Sequence, residues 1–237
     1  MKRLGIIGGV GPMATAYFLQ LLTQMSDADI DQRHMEIYMI SKPTIPDRTD
    51  YILGVSSKSP AIEMAGVGKQ LKLLGAELLA IPCITGHYFH RELEQRTGLP
   101  IINAVNETVD YLRGRKASRV GIMATDGTIK SRLFQDIMDE FGIESLVPEQ
   151  EEQKAVMDII YKDIKAGKPA NQEKFQEVSK QLRRRGAEVI LLACTELSVL
   201  KRDHQIGKGY LDVMDVMAAK AVASCNQLKK EYRELIT

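Results

Sequence analysis

Two cysteines at equivalent points of an internal repeat are the residues of this chain best suited to chemistry. Cys83 follows the apolar run Leu78–Pro82, and Cys194 follows Val189–Ala193, 111 positions further on. Open α/β sheets bind their ligands at the carboxyl ends of strands, so both thiols are expected at such an edge. A helix that begins just after each cysteine would lower the thiol pKa from about 8.5 toward neutrality. Both thiols are therefore predicted to take part in chemistry.

A pair of matched thiols suits proton transfer at a carbon centre. Inverting such a centre requires that a proton leave one face and that another arrive at the opposite face. A thiolate and a thiol on opposite walls perform both steps, and their roles exchange in the reverse direction. Negative charge that develops on a substrate carboxylate needs fixed N–H and hydroxyl donors. Thr85 and Thr195 lie close to the two cysteines in sequence and offer hydroxyls.

The elements that must position these thiols alternate between strand and helix. Short apolar runs of strand length lie at 4–7, 37–40, 78–81, 101–102, 120–124 and 189–193. Longer amphipathic segments predict helices at 13–25, 59–74, 104–114, 129–141, 150–166, 172–185 and 214–235. Continuous apolar strands that alternate with helices predict an α/β fold, in which helices cover both faces of a parallel sheet.

An internal repeat divides the chain into two similar halves. The segment Lys69–Cys83 matches Lys180–Cys194 at a constant offset. A length of 237 residues lies between one large domain and two small ones at about 150 residues per domain. We predict two similar α/β domains related by a pseudo-twofold axis, with the active site in the cleft between them. The first would comprise residues 1–102 plus 214–237, and the second residues 103–213.

Composition limits the partners and the compartment. The chain has 32 Lys and Arg against 31 Asp and Glu, a net charge of +1. It therefore lacks a bulk field for nucleic acid or an acidic membrane surface. Three scattered cysteines are too few for a disulfide framework and fit the reducing cytoplasm. Cys225 falls on an apolar helical stripe with Met214, Met217, Ala218 and Ala221, so we expect it in the core.

Two other chemistries match parts of the sequence less well. Cys83, His87 and His90 have spacing that could place metal ligands on one helical face, but no histidine lies near Cys194, and no metal is expected. Gly9–Ala14 satisfies the dinucleotide fingerprint G-x-G-x-x-A. The second strand then ends in Ser-Lys where the fingerprint needs an acidic residue, and a proline removes one N–H from the turn. An NAD-dependent oxidoreductase is thus the least favoured hypothesis.

Four motifs in order resemble the aspartate/glutamate racemases that work without pyridoxal phosphate. They are Gly5–Thr15 (GIIGGVGPMAT), Ile45–Thr49 (IPDRT), Pro82–His87 (PCITGH) and Ala193–Leu197 (ACTEL). The likeness spans nearly the whole chain, and the IPDRT segment is similar to the aspartate racemase branch. The resemblance implies L/D interconversion of an acidic amino acid, most simply aspartate, with no cofactor. It also makes a homodimer a reasonable expectation.

The resemblance also implies roles for particular residues. Cys83 and Cys194 would be the two proton-transfer bases. The residues that would hold the substrate are Gly9, Arg48, Thr49, Thr85, Thr128, Lys165 and Thr195. Glu196 lies beside a predicted catalytic thiol and is a further candidate, either for tuning protonation or for serving the helix dipole.

One position departs from the family pattern. The family usually reads P-C-N-T-A-H, whereas this chain has Ile84 in place of the asparagine and Gly86 in place of the alanine. The missing amide normally contacts substrate, so the substrate need not be aspartate. Glutamate, another α-substituted carboxylic acid, and a non-catalytic role in amino-acid binding remain as alternatives.

Overall fold

Two parallel β-sheets form the framework of the molecule. A computed structural model describes residues 1–237. The strands are β1 (Leu4–Gly8), β2 (Ile37–Ser41), β3 (Leu78–Ala80), β4 (Arg119–Ala124), β5 (Glu144–Leu146), β6 (Val189–Ala193) and β7 (Tyr210–Asp212). The first sheet has the order β2-β1-β3, and the second has the order β5-β4-β6-β7. In each sheet the first strand of its half is central, so the two halves share one topology.

Helices flank both sheets. The α-helices are α1 (Pro12–Met25), α2 (Arg48–Ile52), α3 (Pro60–Leu73), α4 (His90–Thr97), α5 (Ala104–Gly114), α6 (Asp126–Lys130), α7 (Gln135–Glu140), α8 (Gln150–Met157), α9 (Gln172–Arg184), α10 (Thr195–Asp203) and α11 (Val213–Cys225). A π-helix, Asp158–Ile164, continues α8, and the short 3₁₀ helices are Asp31–Arg33, Ile84–Phe89 and Lys230–Arg233. None of the helices combines the length and the apolar composition needed to cross a bilayer.

The central strands bury both faces, as their continuous apolar runs predict. In β6 the alternate residues Val189 and Leu191 pack into one apolar cluster, whereas Ile190 and Leu192 pack into another on the opposite face. The largest cluster takes residues from both sheets and from α1, α5 and α11, so a shared core joins the two halves. The expected burial of Cys225 in α11 is confirmed, at 2% exposure. The domain boundaries stay a prediction.

Two predicted helices have interruptions that periodicity did not reveal. The segment 129–141 covers the end of α6 and the whole of α7, and these two short helices are separate because Arg132 between them has a left-handed backbone with φ of 53°. The segment 150–166 is helical nearly throughout, but its second half widens into the π-helix. Gly167, with φ of 72°, then ends the segment.

The last predicted helix, 214–235, ends ten residues early at Cys225, where Asn226 is extended with φ of −152°. The following chain turns back along the fold, and its backbone bonds to other elements. The Lys229 N–H donates to the Met25 carbonyl, and the Thr237 N–H donates to the Tyr210 carbonyl. The predicted strand at 101–102 is a single parallel bridge between Leu79 and Ile101. These long-range bonds have no local sequence signal.

Candidate active site

The two cysteines occupy equivalent places at the carboxyl ends of strands, as the sequence predicts. Cys83 precedes the 3₁₀ helix Ile84–Phe89 and Cys194 precedes α10, and each takes the N-cap position. The Cys83 carbonyl accepts from the Gly86 N–H at 3.0 Å, and the Cys194 carbonyl accepts from the Leu197 N–H at 2.9 Å. The same first-turn bond thus presents each thiol to the space between the sheets.

Both thiols line one small cavity of about 10 Å³. Its lining comes from both halves of the chain and consists of Val10, Asp47, Arg48, Thr49, Cys83, Ile84, Thr85, Thr125, Tyr161, Lys165, Cys194, Thr195 and Glu196. We refer to this space as the inner cavity. A volume of this size holds about one water molecule.

A carboxylate faces the second thiol. Cys194 Sγ donates a hydrogen bond to Glu196 Oε2 at 2.9 Å, and both residues are buried. Burial raises the pKa of the Cys194 thiol well above its usual value, and the charge and hydrogen bond of Glu196 raise it further. Lys165 opposes this shift. Burial, the charge of Glu196 and its hydrogen bond all disfavour the thiolate, so Cys194 holds its proton in this arrangement.

A guanidinium faces the first thiol. Arg48 is 8% exposed, and its Nη1 donates to the Pro46 carbonyl at 3.1 Å. Burial alone would lower the pKa of Arg48, but its electrostatic interactions with Cys83 and Asp47 raise it above its ordinary range. The two thiols are thus matched in backbone geometry and opposed in the charge of their neighbours.

Asp47 joins the two halves across the mouth of the inner cavity. Its carboxylate caps α2 by accepting from the Thr49 and Asp50 N–H groups at 2.8 and 3.1 Å. It also accepts from Tyr161 Oη at 3.2 Å and lies 3.5 Å from Lys165 Nζ. Burial acts to raise the pKa of Asp47, yet Lys165 and Arg48 lower it, so the carboxyl stays ionised.

Lys165 and Tyr161 come from the π-helical segment of the second half. Lys165 Nζ lies 3.9 Å from the centre of the Tyr161 ring, a cation–π contact. Burial alone would lower the pKa of Lys165, but Glu196 and then Tyr161 raise it above its usual value. Burial raises the pKa of Tyr161 to about 12, so its hydroxyl remains a donor. Lys165 therefore supplies a fixed positive charge at the mouth.

Three threonine hydroxyls bond to one another at the inner cavity, where Thr85 and Thr125 line the space and Thr128 lies behind them. Thr85 Oγ1 lies 2.9 Å from Thr125 Oγ1 and 3.0 Å from Thr128 Oγ1, and the last two lie 3.2 Å apart. Gly127 allows α6 to approach α2, since an added Cβ would lie 3.0 Å from the Thr49 Cα. The hydroxyls satisfy one another and can turn toward a bound carboxylate.

A larger chamber of about 850 Å³ opens beside the inner cavity. Four residues line both spaces and form the wall between them: Asp47, Arg48, Lys165 and Glu196. We call the larger space the outer chamber. Gly9 lines this chamber and has a φ of 84°. It lies so close to Lys42 that an added Cβ would be 2.3 Å from the Lys42 backbone nitrogen.

The structure brings together most of the predicted site residues. Eight of them line the inner cavity: Cys83, Cys194, Arg48, Thr49, Thr85, Lys165, Thr195 and Glu196. Thr128 lies behind the cavity wall, bonded to Thr85, and Gly9 faces the outer chamber. Sequence reasoning did not assign Asp47, Thr125 and Tyr161 to the site. Thr125 had a usable signal, because it follows β4 as Gly9 follows β1. For Tyr161 we find no such signal.

The residues considered for the two alternative chemistries differ in their hydrogen bonding. The Gly9 N–H in the glycine turn donates to Thr15 Oγ1 at 3.0 Å, so it is not free to bind a phosphate. His87 is buried, and neither ring nitrogen has a hydrogen-bond partner. Burial, and then His90, lower the pKa of His87 to about 3, so the imidazole is neutral. His90 Nε2 instead bonds to the Ile101 carbonyl at 2.9 Å.

Comparison with known proteins assigns the chain to a family. The chain is 27% identical over 212 residues to the broad specificity amino-acid racemase RacX of Bacillus subtilis. The match covers 83% of this chain and 86% of that protein. Its fold matches an aspartate racemase from Picrophilus torridus with a TM-score of 0.84 and 29% identity, over 98% of both chains.

A glutamate racemase from Francisella tularensis, solved with D-glutamate, shares the fold with a TM-score of 0.68. Its identity is 17%, and the match covers 94% of this chain and 80% of that one. The family model for Asp/Glu/Hydantoin racemases matches residues 7–221. This chain, with two strand-end thiols facing one cavity between its sheets, belongs to the Asp/Glu/hydantoin racemase family.

Proposed function

We propose that the protein is a cofactor-independent racemase of an acidic amino acid, with aspartate as the first substrate. The observation that carries the proposal is that Cys83 and Cys194, from the two halves, line one cavity whose wall includes two cations, Arg48 and Lys165. Thiols on opposite sides of a bound α-carbon supply the acid and the base that inversion requires. Fixed cations can pair with the two carboxylates of a dicarboxylate substrate.

The proposed reaction removes one proton from the α-carbon and delivers another to its opposite face. In the first step, a thiolate takes the α-proton, and the electron pair of the broken C–H bond moves into the α-carboxylate. Arg48 and the threonine hydroxyls then stabilise the added negative charge. In the second step, the opposite thiol gives its proton to the other face of the α-carbon. The thiol and thiolate have exchanged places, and the product is the enantiomer.

The charges around the thiols favour one direction in the resting protein. Positive charge faces Cys83 through Arg48, whereas a carboxylate faces Cys194 through Glu196. We infer that Cys83 acts first as base and that Cys194 acts first as acid. Lys165 lies at the mouth, where it would pair with the side-chain carboxylate of the substrate in exchange for Asp47.

A wider range of amino acids is the second candidate function. Ile84 puts an apolar side chain at the cavity where the family usually carries an amide. Similarity to the Bacillus subtilis protein named as a broad specificity racemase supports the same hypothesis. A non-catalytic amino-acid-binding role is the alternative from another functional class.

Exchange of the α-hydrogen separates these functions. Purified protein is incubated with L-aspartate in deuterated water, and NMR and chiral chromatography follow α-deuterium and D-aspartate. The proposal predicts both products without added cofactor. Binding of aspartate with no exchange would favour the non-catalytic role, and loss of activity on removal of a bound pyridoxal or nicotinamide would contradict cofactor independence.

A further inference from the structure

The four edge strands of the two sheets differ in how they are protected. They are β2 and β3 in the first sheet and β5 and β7 in the second. Later segments of the chain cover two of them, with a bridge at Ile101 beside β3 and a bridge at Ile236 beside β7. Strand β5 has three residues, and its Glu144 pairs with Arg119 at 2.7 Å. Short and charged edges resist pairing with another chain, so three of the four edges are protected.

Strand β2 has no such protection. It pairs only with β1, along all five of its residues, Ile37–Ser41. Its sequence, IYMIS, contains neither a charged residue nor a proline. None of the five residues is buried, and Met39 at the centre is 40% exposed. A strand of this length and composition with an open edge is a template for a strand of another chain.

The backbone of β2 bonds alternately to β1 and to the open edge. The carbonyl of Glu36, just before the strand, and the N–H of Lys42, just after it, both bond to β1 at 3.1 Å. Backbone groups of successive residues point to opposite sides of a strand. Ile37, Met39 and Ser41 therefore direct their N–H and C=O groups away from β1, toward the open edge.

One antiparallel register of two β2 strands uses all of these outward groups. About a twofold axis at Met39, Ile37 of one copy lies opposite Ser41 of the other, and Met39 lies opposite itself. Residues opposed in this way exchange both of their N–H···O bonds. A register centred on Tyr38 or on Ile40 would instead set one outward residue of each strand opposite a residue outside β2. The backbone therefore favours the register centred on Met39.

The same register matches side chains across the axis. The pairs that lie between the hydrogen-bonded ones bring Tyr38 opposite Ile40 and Glu36 opposite Lys42. Aromatic–aliphatic and opposite-charge pairs are favourable at such positions. Tyr38 and Ile40 pack into one apolar cluster of their own chain, so their pairing would extend that cluster across the axis. Lys42 also pairs with Glu63 of its own chain and would then link two carboxylates.

We propose that the open edge of β2 binds a second copy of this chain, in a twofold dimer whose two β2 strands pair antiparallel about Met39. The pairing joins two three-stranded sheets into one of six strands. Because the same strand is used by both copies, the contact closes at two chains. The inference does not rest on the racemase function. It does link the dimer to the candidate site, since β2 leads directly into the segment that carries Asp47 and Arg48.

A charge at the centre of the strand tests the location of the interface. Light scattering and sedimentation velocity over a dilution series should show wild type at twice the 26.5 kDa mass of one chain. Met39→Lys sets two like charges opposite each other and should raise the dissociation constant about tenfold or more. Ser145→Lys is the matched control, because Ser145 is the middle residue of the other uncovered edge strand, β5. Circular dichroism and thermal melting verify that each variant is folded.

A charge exchange tests the register. Glu36→Lys and Lys42→Glu each set like charges opposite one another at two symmetric places, and each should weaken the dimer. The double variant Glu36→Lys, Lys42→Glu restores opposite charges at both places and should dimerise more tightly than either single variant. Because Lys42→Glu also loses the pair with Glu63, the comparison is between the double variant and each single variant.

Three results would overturn the inference. A wild-type protein that stays monomeric at micromolar concentration rejects the dimer. A dimer that is unchanged in Met39→Lys rejects the β2 interface, and one that is lost only in Ser145→Lys assigns the interface to β5. A double variant that dimerises no better than its single variants rejects the register centred on Met39. None of these results bears on the racemase proposal, which the exchange of the α-hydrogen tests separately.

Discussion

The two thiols in the cleft differ in the charge of their neighbours. Arg48 lines the same cavity as Cys83, and Glu196 accepts a hydrogen bond from Cys194 Sγ at 2.9 Å. In a two-base mechanism one thiol must hold a proton while the other has lost it. We propose that the neighbouring charges supply that difference without breaking the backbone symmetry of the two strand ends.

Replacing the carboxylate beside Cys194 should change when that thiol titrates. Glu196→Gln keeps a hydrogen-bonding side chain but removes the charge that helps to raise the pKa of Cys194. We expect the thiol to lose its proton at lower pH. The alkaline limb of kcat against pH should shift to lower pH, because Cys194 would cease to be an acid sooner.

Ultraviolet titration of the thiolate in a Cys83→Ala, Cys225→Ala background measures the Cys194 pKa directly. The same titration of the Glu196→Asp variant is the control, since it retains the charge. An unchanged or raised Cys194 pKa in Glu196→Gln would refute the assigned role of the carboxylate.

Sequence reasoning reached the thiols but not all their neighbours. Cys83 and Cys194 could be found because the repeat places them at matched strand ends. Tyr161 could not, because its position depends on a π-helix that shifts the phase of the preceding helix. Asp47 lies within a motif, but its contacts to Tyr161 and Lys165 span 114 and 118 residues. Such contacts follow from the tertiary fold.

At the scale of elements, α2 depends on one cap. This five-residue helix carries Arg48 and Thr49 into the site, and it is too short to be stable alone. The Asp47 carboxylate accepts from the Thr49 and Asp50 N–H groups at its first turn. Loss of this cap should loosen the helix and the side chains of Arg48 and Thr49, which we propose bind substrate.

Two substitutions separate the cap from the charge. Asp47→Ala removes both and should lower the free energy of unfolding by about 1 kcal/mol, whereas Asp47→Asn keeps an N-cap acceptor and should cost less. Urea denaturation followed by circular dichroism gives both values. Equal loss in the two variants would mean that the ionic contacts, and not the cap, hold α2.

The helix that follows Cys194 is anchored by a buried ion cluster. Lys201 on α10 lies 3.1 Å from Asp212 Oδ2 and also pairs with Asp215, at the start of α11. Ser198 Oγ donates to Asp212 Oδ1 at 2.7 Å. Burial, and then the charge of Asp212, raise the pKa of Asp215 to about 7, while Lys201 opposes the shift.

Removing the cation should destabilise the protein most at high pH. Lys201→Met leaves two buried carboxyl groups without their cation, which costs about 3–5 kcal/mol when they are ionised. An aspartate whose folded pKa is raised stabilises the protein below its unfolded pKa, about 3.9, and this stabilisation is lost as pH rises through the folded pKa. The variant should therefore lose less stability at pH 5 than at pH 8.

Chemical denaturation of Lys201→Met at the two pH values tests this expectation. Lys220→Met is the matched control, because Lys220 pairs with Glu107 at 45% exposure and such surface pairs contribute at most about 1 kcal/mol. A loss for Lys201→Met that is independent of pH would count against the ion cluster.

The element pattern was predictable where apolar periodicity is continuous. Helix α5 has the bounds that its sequence predicts, 104–114, because an Asn103 cap starts it and a single amphipathic face runs through it. The segments 129–141 and 214–235 keep helical periodicity across a real break. The first break lies at the left-handed Arg132, and after the second the chain forms backbone bonds to distant elements. Apolar periodicity contains no information about either feature.

At the scale of the whole molecule, one topology used twice creates the site. The sheets β2-β1-β3 and β5-β4-β6-β7 each place a cysteine after the strand on the same side of their central strand. The repeat of 111 positions predicted this doubling, and the two parallel sheets confirm the α/β class. The shared core of α1, α5 and α11 could not be predicted from the sequence. Apolar periodicity shows which face of a helix is buried but not which element covers that face.

In the proposed mechanism both thiols transfer protons at one carbon. The most direct test measures conversion of L-aspartate to D-aspartate in Cys83→Ala and Cys194→Ala, with Cys225→Ala as the control because Cys225 is buried in α11 away from the cavity. Each site variant should lose at least about 10²-fold in kcat, the usual contribution of one acid or base. Cys225→Ala should keep wild-type kcat. Racemisation at the wild-type rate in either site variant would contradict the two-thiol mechanism.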